Sequence, residues 1–446
     1  MLPHDPRLVM ETRMQRFARL LSDKVGNFGI LSAIVSVPLI GAAGAAMDLT
    51  HALSVRSQLF DAADAAALGA ITEKSQGVAA AISMSADGEI KIAEEDGRKL
   101  FLSQSMVTIT DLKNVKVDLT VEKKGNNLNS KVNFSVTVPT TFMRILGREQ
   151  ITVSGTATAS YQTESFIDFF MLLDNTPSMG VGATPSDVAK LVSATSDQCA
   201  FACHIVNNGV DDPKSYYNLA RKIGATIRID VVAKATAALM DEAVRTQRHS
   251  GQFRIAAYTF GEAATDVKLY TVSHLTTDLA AIKKATEKIR LMSIPYQGYN
   301  NDQQTSFDDA LTKINAEIDA PGDGTSISKR EKIVFFVADG VGDSEKPKGC
   351  TKKLTGNRCQ EPIDVKYCKV LKDRGIRVAV LYTTYLPLPT NGWYNSWIKP
   401  FQSEIGNRMR ECASDDLYFE VSPTEGIEAA MKALFNKAVK SPRITS

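Results

Sequence analysis

The sequence predicts an α/β protein in three parts: an N-terminal transmembrane helix, a small α+β (β-rich) domain, and a larger doubly wound domain around a mostly parallel sheet. Three observations carry this. Residues 25–47, VGNFGILSAIVSVPLIGAAGAAM, contain no charge. Residues 104–162 alternate apolar and polar side chains and are rich in β-branched types, the pattern of strands with one wet face. From Phe166 onward, short continuous apolar runs alternate with helical patterns, as in strands buried on both faces and separated by crossover helices.

The uncharged run is about the 20 residues that a bilayer core requires, and Pro38 is tolerable within such a helix. Arg7, Arg13, Arg16, Arg19 and Lys24 precede it, and only Arg56 follows closely. The positive-inside rule then places residues 1–24 in the cytoplasm and the bulk of the chain outside. Ala42 to Ala46 would suit a signal-peptide cut, but the apolar run passes without a break into a helical pattern, which favours an uncleaved anchor. In that continuation Leu49, Leu53, Leu59 or Phe60, Ala63 and Ala67 recur roughly at helical spacing, so a stalk helix is expected over 48–75. Its alanines also suit a helix that packs on its own domain. The small domain follows over 76–163, with strands in VTITDLKNVKVDLTVEKKG, KVNFSVTVPTTF and QITVSGTATASYQ, the first two joined by the polar turn KKGNNLNS.

The larger domain is expected over 164–446. Its strands are FIDFFMLLD, FRIAAYTF, KIVFFVAD, IRVAVLYT and LYFEV; the intervening helices centre on RIDVVAKATAALMDEAV, LAAIKKATEKI, SFDDALTKINAEI, DVKYCKVLKDRG and SEIGNRMRECA, with EGIEAAMKALFNKA last. Ligands of such sheets gather beyond the carboxyl ends of the strands, and Asp174 and Asp339 each end an apolar strand. Asp174, Thr176 and Ser178 share one loop, MLLDNTPSMG; Thr305 precedes a helix; Asp339 is followed by Gly340, which permits a tight turn. Carboxylates and hydroxyls are hard oxygen donors suited to Mg²⁺ or Mn²⁺. Such an ion needs only one or two carboxylates, and its remaining positions leave room for a partner's carboxylate.

The composition, 44% hydrophobic and 23% charged with a formal net charge of +2, intersperses both signs and gives no clustered basic face for nucleic acid. No Gly-x-Ser-x-Gly elbow, zinc-binding His-Glu pair or phosphate loop is present. An enzyme alternative is Mg²⁺-dependent phosphoryl transfer of the haloacid-dehalogenase type, with Asp174 as nucleophile and Asp339 and Asp343 as later acids. That chemistry wants an Asp as general acid and base two residues on, and position 176 is Thr. A third reading is a metal-free structural module of the cell envelope.

Asp-x-Thr-x-Ser after an apolar strand, a downstream Thr before a helix, and Val-Ala-Asp-Gly closing a later strand resemble the metal-ion-dependent adhesion site of von Willebrand factor A domains, across about residues 166–440. The resemblance implies a Rossmann-like von Willebrand factor A fold and a Mg²⁺ or Mn²⁺ site at Asp174, Thr176, Ser178, Thr305 and Asp339, a site of the kind that can stand empty until a partner arrives. Thr176 stands where the family prefers Ser, Ala338 where Thr is usual, and Gln303-Gln304 where Gly-Gly usually precedes the Thr, so that Ser306 is an alternative to Thr305. GNFGILSA…PLIGAAGAAMDLTHALSVRSQLFDAADAAALGA, VPTTFMRILGREQITVSGTATASY and CKVLKDRGIRVAVLYT…ECASDDLYFEV…IEAAMKALF resemble TadE/TadG-type pilus-assembly proteins. This implies a non-enzymatic, single-pass inner-membrane protein with its bulk in the periplasm, binding protein partners within a Tad (tight adherence) Flp-pilus system. A prepilin-like cut after Gly26 would put Leu31, not Glu, at the fifth mature position.

In an exported chain the six cysteines make disulfides the default, and six cysteines allow fifteen pairings. Cys199 and Cys203 stand in CAFACH with three residues between them, where haem attachment uses two, so a bridge in a loop is expected instead. Cys350 and Cys359 share a Lys- and Gly-rich loop, and Cys368 and Cys412 lie on flanking helices; these read as two further bridges, with the exact pairs open.

Overall fold

The computed structural model describes residues 27–109, 112–422 and 426–440. The expected cytoplasmic segment 1–24 and the first two residues of the span lie outside the described residues. The chain divides into two compact units, Met1–Thr163 and Glu164–Ser446.

Among the described residues the first unit opens with α1, Asn27–Gly69, an unbroken helix of 43 residues with Pro38 inside it. Its first half exposes Phe28, Ile30, Leu31, Ile34, Val37, Leu39 and Ile40. The most apolar window has mean hydropathy 2.0 and is only 6% buried, so this is not a core helix; by length and composition it can cross a membrane. The second half does the opposite. Ala52, Val55, Leu59, Ala62, Ala63, Ala66 and Ala67 are buried in the core of the unit, which is completed by α2 (Gln76–Ser83), β1 (Gly88–Glu89), α3 (Lys91–Ile109), β2 (Lys113–Lys124), β3 (Asn127–Pro139) and β4 (Gln150–Gln162).

Residues expected to form a stalk therefore form one wall of a domain. Their small side chains let elements approach closely: a Cβ added at Gly97 of α3 would lie 3.1 Å from the Ala70 Cβ and closer still to Leu119. Phe60 packs edge-on against Phe134 at 5.1 Å. The sheet runs β1-β2-β3-β4, antiparallel throughout. Residues 104–109, expected to open a strand, instead continue α3. Phe101 and Ser105 are buried one helical turn apart, and that packing outweighs the strand preference of Thr108 and Ile109.

The second unit contains, in chain order, β5 (Ile167–Leu173), α4 (Pro185–Ala194), β6 (His204–Asn207), β7 (Val210–Asp211), α5 (Tyr216–Lys222), α6 (Arg228–Thr246), β8 (Phe253–Thr259), β9 (Tyr270–Thr276) and α7 (Leu279–Thr286). There follow β10 (Ser293–Ile294), β11 (Gln304–Thr305), α8 (Phe307–Glu317), β12 (Glu331–Ala338), β13 (Val341–Glu345), β14 (Arg358–Pro362) and α9 (Val365–Asp373). The unit ends with β15 (Arg377–Thr383), α10 (Gln402–Cys412), β16 (Tyr418–Val421) and α11 (Ile427–Lys440). The central sheet has six strands in the order β16-β15-β12-β5-β8-β9. All its pairs are parallel except the edge strand β9 on β8. Every residue of β5 and β12 is buried, and the two faces of the sheet carry separate apolar cores.

This is a doubly wound α/β unit. From β5 the chain moves outward to β8 and β9, then returns to place β12 on the other flank of β5. The crevice where the strand order reverses lies between the carboxyl ends of β5 and β12, the place where such sheets take ligands. Pairing of Leu173 with Val337 brings those two ends level. Of the cysteines, Cys350 is bonded to Cys359 and Cys368 to Cys412. Cys199 and Cys203 are thiols, against the expected bridge. Phe201 between them is held in a β-bridge to Val181, and the sulfurs have other partners: the Phe201 N–H donates to Cys199 Sγ and Gln297 Nε2 to Cys203 Sγ.

Candidate cation site

The β-ladder runs one residue beyond β5, because the Asp174 N–H donates to the Val337 carbonyl at 2.9 Å. The chain then turns on its own side chain. Asp174 Oδ1 accepts from the Thr176 N–H at 2.9 Å and from the Thr176 hydroxyl at 2.7 Å, the local closure that lets an aspartate end a strand. A 3₁₀ turn at Pro177–Gly180 presents Ser178, whose hydroxyl lies 3.4 Å from that of Thr176. Thr305 arrives on β11, which pairs with β13, and its hydroxyl donates to the Thr176 hydroxyl at 2.7 Å. The neighbouring Ser306 caps α8 by accepting from the Asp309 N–H.

Asp339 follows β12. Its Oδ1 accepts from the Val341 N–H at 3.2 Å, and the nearby Ser178 hydroxyl favours its ionised form. Gly340 has φ of 74°, and a Cβ there would strike Ile405 and Met409. Asp174, Thr176, Ser178, Thr305 and Asp339 thus form one cluster.

Two residues that the sequence reading missed complete it. Asn175 stitches the loop to its surroundings, donating to the Gly261 carbonyl at 2.7 Å and accepting from the Phe260 N–H at 3.1 Å. Arg228, wholly buried at the start of α6, donates from Nη1 to Asp339 Oδ2 at 3.2 Å and lies over the Tyr385 ring. The one local signal in the sequence is its place in the first turn of a helix, where a cation opposes the helix dipole.

Asp174 and Asp339 are both fully buried. Burial, and then the neighbouring Asp339 carboxylate, push the Asp174 carboxyl up to about 7. Burial likewise raises Asp339, opposed by Arg228. Among the described residues, Asp174 Oδ2 has no hydrogen-bond partner. A buried carboxylate oxygen left unmatched is costly; together with three hydroxyls and a second carboxylate it fits a hard divalent cation.

A cavity of about 270 Å³ is lined by Ser178 and Thr305 together with Cys199, Phe201, Cys203 and Trp393. Asp343, on β13, is held bidentately by Arg358 at 2.7 and 2.5 Å, with burial pushing its carboxyl up to about 7. A larger cleft of about 820 Å³ lies along α6, where Arg221 pairs with Asp230 and Lys283 with Asp241. Cys350, Cys359 and Glu361 also lie close together, but both sulfurs are spent in a disulfide.

Comparison with known proteins adds the following. A family model described as "Putative Flp pilus-assembly TadE/G-like" matches residues 26–81. No curated protein matches the chain. Among solved structures, the pilus adhesin SpaC from Lactobacillus rhamnosus GG is similar at 12% identity and a TM-score of 0.34, covering 73% of this chain and 34% of that one. The vWF domain of the type V pili tip protein Mfa5 from Porphyromonas gingivalis is similar at 10% identity and a TM-score of 0.32, covering 64% of this chain and 99% of that one. Proximal thread matrix protein 1 from the mussel byssus stands at 13% identity and 0.32, covering 62% of this chain and 46% of that one. The chain therefore spans about a third of the SpaC chain and just under half of the byssus protein. The N-terminal region of this chain, from the end of its basic flank through α2, is TadE/G-like.

Proposed function

We propose that the chain is a membrane-anchored component of a Tad/Flp pilus-assembly system that holds a protein partner through a divalent cation, Mg²⁺ or Mn²⁺. Asp174, Thr176, Ser178, Thr305 and Asp339 would hold the ion, and the observation that carries this reading is the buried, unpartnered Asp174 Oδ2 beside a second buried carboxylate. When bound, the ion supplies an open coordination position for a partner's carboxylate. Charge supports the same conclusion. Two carboxylates facing Arg228 carry one net negative charge, so a divalent cation leaves one net positive charge in a buried site, and an acidic side chain neutralises it. Binding is favoured over phosphoryl transfer because position 176 has no carboxylate and Asp343 is tied to Arg358. The proposed placement is the inner membrane, with the second unit and the part of the first that follows the span in the periplasm; the basic flank from Arg7 to Lys24 and the two disulfides, which persist in oxidising compartments, support it.

The test is calorimetric titration of the full detergent-solubilised chain with Mg²⁺ and Mn²⁺, with and without an acidic peptide, beside Asp174→Asn. Saturable binding that strengthens with the peptide and vanishes in the variant is the expected result. A folded wild-type chain that binds neither ion under either condition would leave the site a structural module.

A further inference from the structure

The first unit carries an apolar surface that its own core does not explain. Between β3 and β4 a 3₁₀ turn, Met143–Leu146, leaves Ile145 86%, Leu146 65% and Phe142 39% exposed. Arg144 and Arg148 flank these side chains and are exposed as well. The other turn of the same sheet, Lys124 to Asn127, is wholly polar.

The apolar turn is held firmly against α1. The Asp48 carboxylate accepts the backbone N–H groups of Thr141, Phe142 and Met143 at 3.0, 2.8 and 2.6 Å. Phe142 packs so tightly over Gly44 that a Cβ there would come within 2.5 Å of the Phe142 Cβ. Its height along α1 is therefore set by Gly44 and Asp48. At a rise of about 1.5 Å per residue, Phe28 to Asp48 spans roughly 30 Å, about the thickness of the bilayer hydrocarbon. Asp48 is also the first charged residue after Lys24. The turn stands where the helix would leave the lipid.

We propose that the Phe142–Arg148 turn is a second membrane contact: Phe142, Ile145 and Leu146 enter the bilayer interface beside α1, and Arg144 and Arg148 meet the lipid phosphates. This rests on α1 spanning the membrane. Continuity with the lipid-facing half of α1 identifies the occupant as the bilayer, and the pairing of apolar side chains with arginines matches what interfacial segments present to it. Asp48 is then the joint between helix and turn. It satisfies three backbone donors at the depth where water is scarce, and it seats the first unit on the membrane at two points, so that the unit cannot swing freely about the helix.

The experiment uses the full chain in nanodiscs that contain lipids brominated either high on the acyl chain or near the bilayer centre. Single tryptophan reporters are read against the parent chain, whose tryptophans are Trp393 and Trp397. Leu146→Trp should lose its fluorescence to the shallow bromines and resist aqueous iodide; Lys124→Trp, at the far end of the same sheet, should do the reverse. Val37→Trp reports on the helix itself and should be quenched by the deep bromines. Quenching of Val37→Trp without quenching of Leu146→Trp overturns the proposal and leaves the anchor standing. Leu146→Trp shielded from iodide yet untouched by bromolipid would mean a protein covers the turn, which also overturns it. A Val37→Trp reporter open to iodide overturns the anchor and the proposal together.

Discussion

Arg228 sets the electrostatics of the proposed cation site from within. It is wholly buried, and its guanidinium binds the carboxylate that a cation would share. Replacing it by methionine keeps much of the volume but leaves Asp339 buried without a counter-charge. Arg228→Met should therefore lower the stability of the ion-free chain by about 3–5 kcal/mol, and Mg²⁺ should restore most of the loss. The same variant should bind Mg²⁺ more tightly without peptide and gain less from an acidic one, because the loaded site is now neutral. Chemical denaturation with and without Mg²⁺, and calorimetry, check the two halves.

The Asp174 carboxyl gives a pH signature. Its pKa rises from the ordinary carboxylate value to about 7 in the fold, so between roughly pH 4 and 7 the folded state holds a proton that the unfolded state has released. This contribution to ion-free stability is complete at the acidic end and is lost as pH rises through 7. A cation needs the ionised carboxylate, so Mg²⁺ affinity should rise over the same interval and level off above it. Titrations at pH 5, 6, 7 and 8 would show this; a flat profile would mean Asp174 is ionised throughout.

At the scale of elements, β5 carries buried charge at both ends. Opposite the proposed cation site, Asp168 is fully buried and paired with Arg254, Arg330 and Lys332. Burial acts to raise its carboxyl, but Arg254 and Lys332 outweigh that and hold it below the ordinary value. Asp168→Ala leaves these cations without their shared anion and should cost about 3–5 kcal/mol, measured by denaturant unfolding, while the Mg²⁺ affinity of the folded fraction stays unchanged. A loss of affinity would mean that the two ends of β5 communicate. The Cys368–Cys412 bridge ties α9 to α10, the helix whose Ile405 and Met409 close over Gly340. It therefore braces the turn that carries Asp339.

At the scale of the whole molecule, each unit has its own apolar core. Heating should therefore give two transitions. Both tryptophans, Trp393 and Trp397, lie in the second unit, so their fluorescence reports that transition alone. Saturating Mg²⁺ should raise it, by about 2.7 kcal/mol at one hundred times Kd, and leave the other in place; circular dichroism follows both.

The sequence by itself determined what depends on local pattern. The uncharged run of α1, the apolar strands β5 and β12, and the aspartates that end them are legible because burial on all sides and strand termination leave marks within a few residues. Two bridges among Cys350, Cys359, Cys368 and Cys412 were expected with the exact pairs open, and the structure decided that Cys368 joins Cys412, 44 residues on. Only the tertiary structure decided which faces meet. Residues 52–67 became a domain wall because α2, α3 and the sheet cover them, and 104–109 stayed helical because Phe101 and Ser105 are buried. The edge strand β9 joined the sheet in the opposite sense to β8, and Cys199 and Cys203 remained thiols beside the Asp174–Asp339 cluster. Arg228 stands 54 residues after Asp174 and 111 before Asp339; no periodicity links them. Their meeting follows from the order of strands in the sheet, which sets the charge of the site and is a property of the packed molecule.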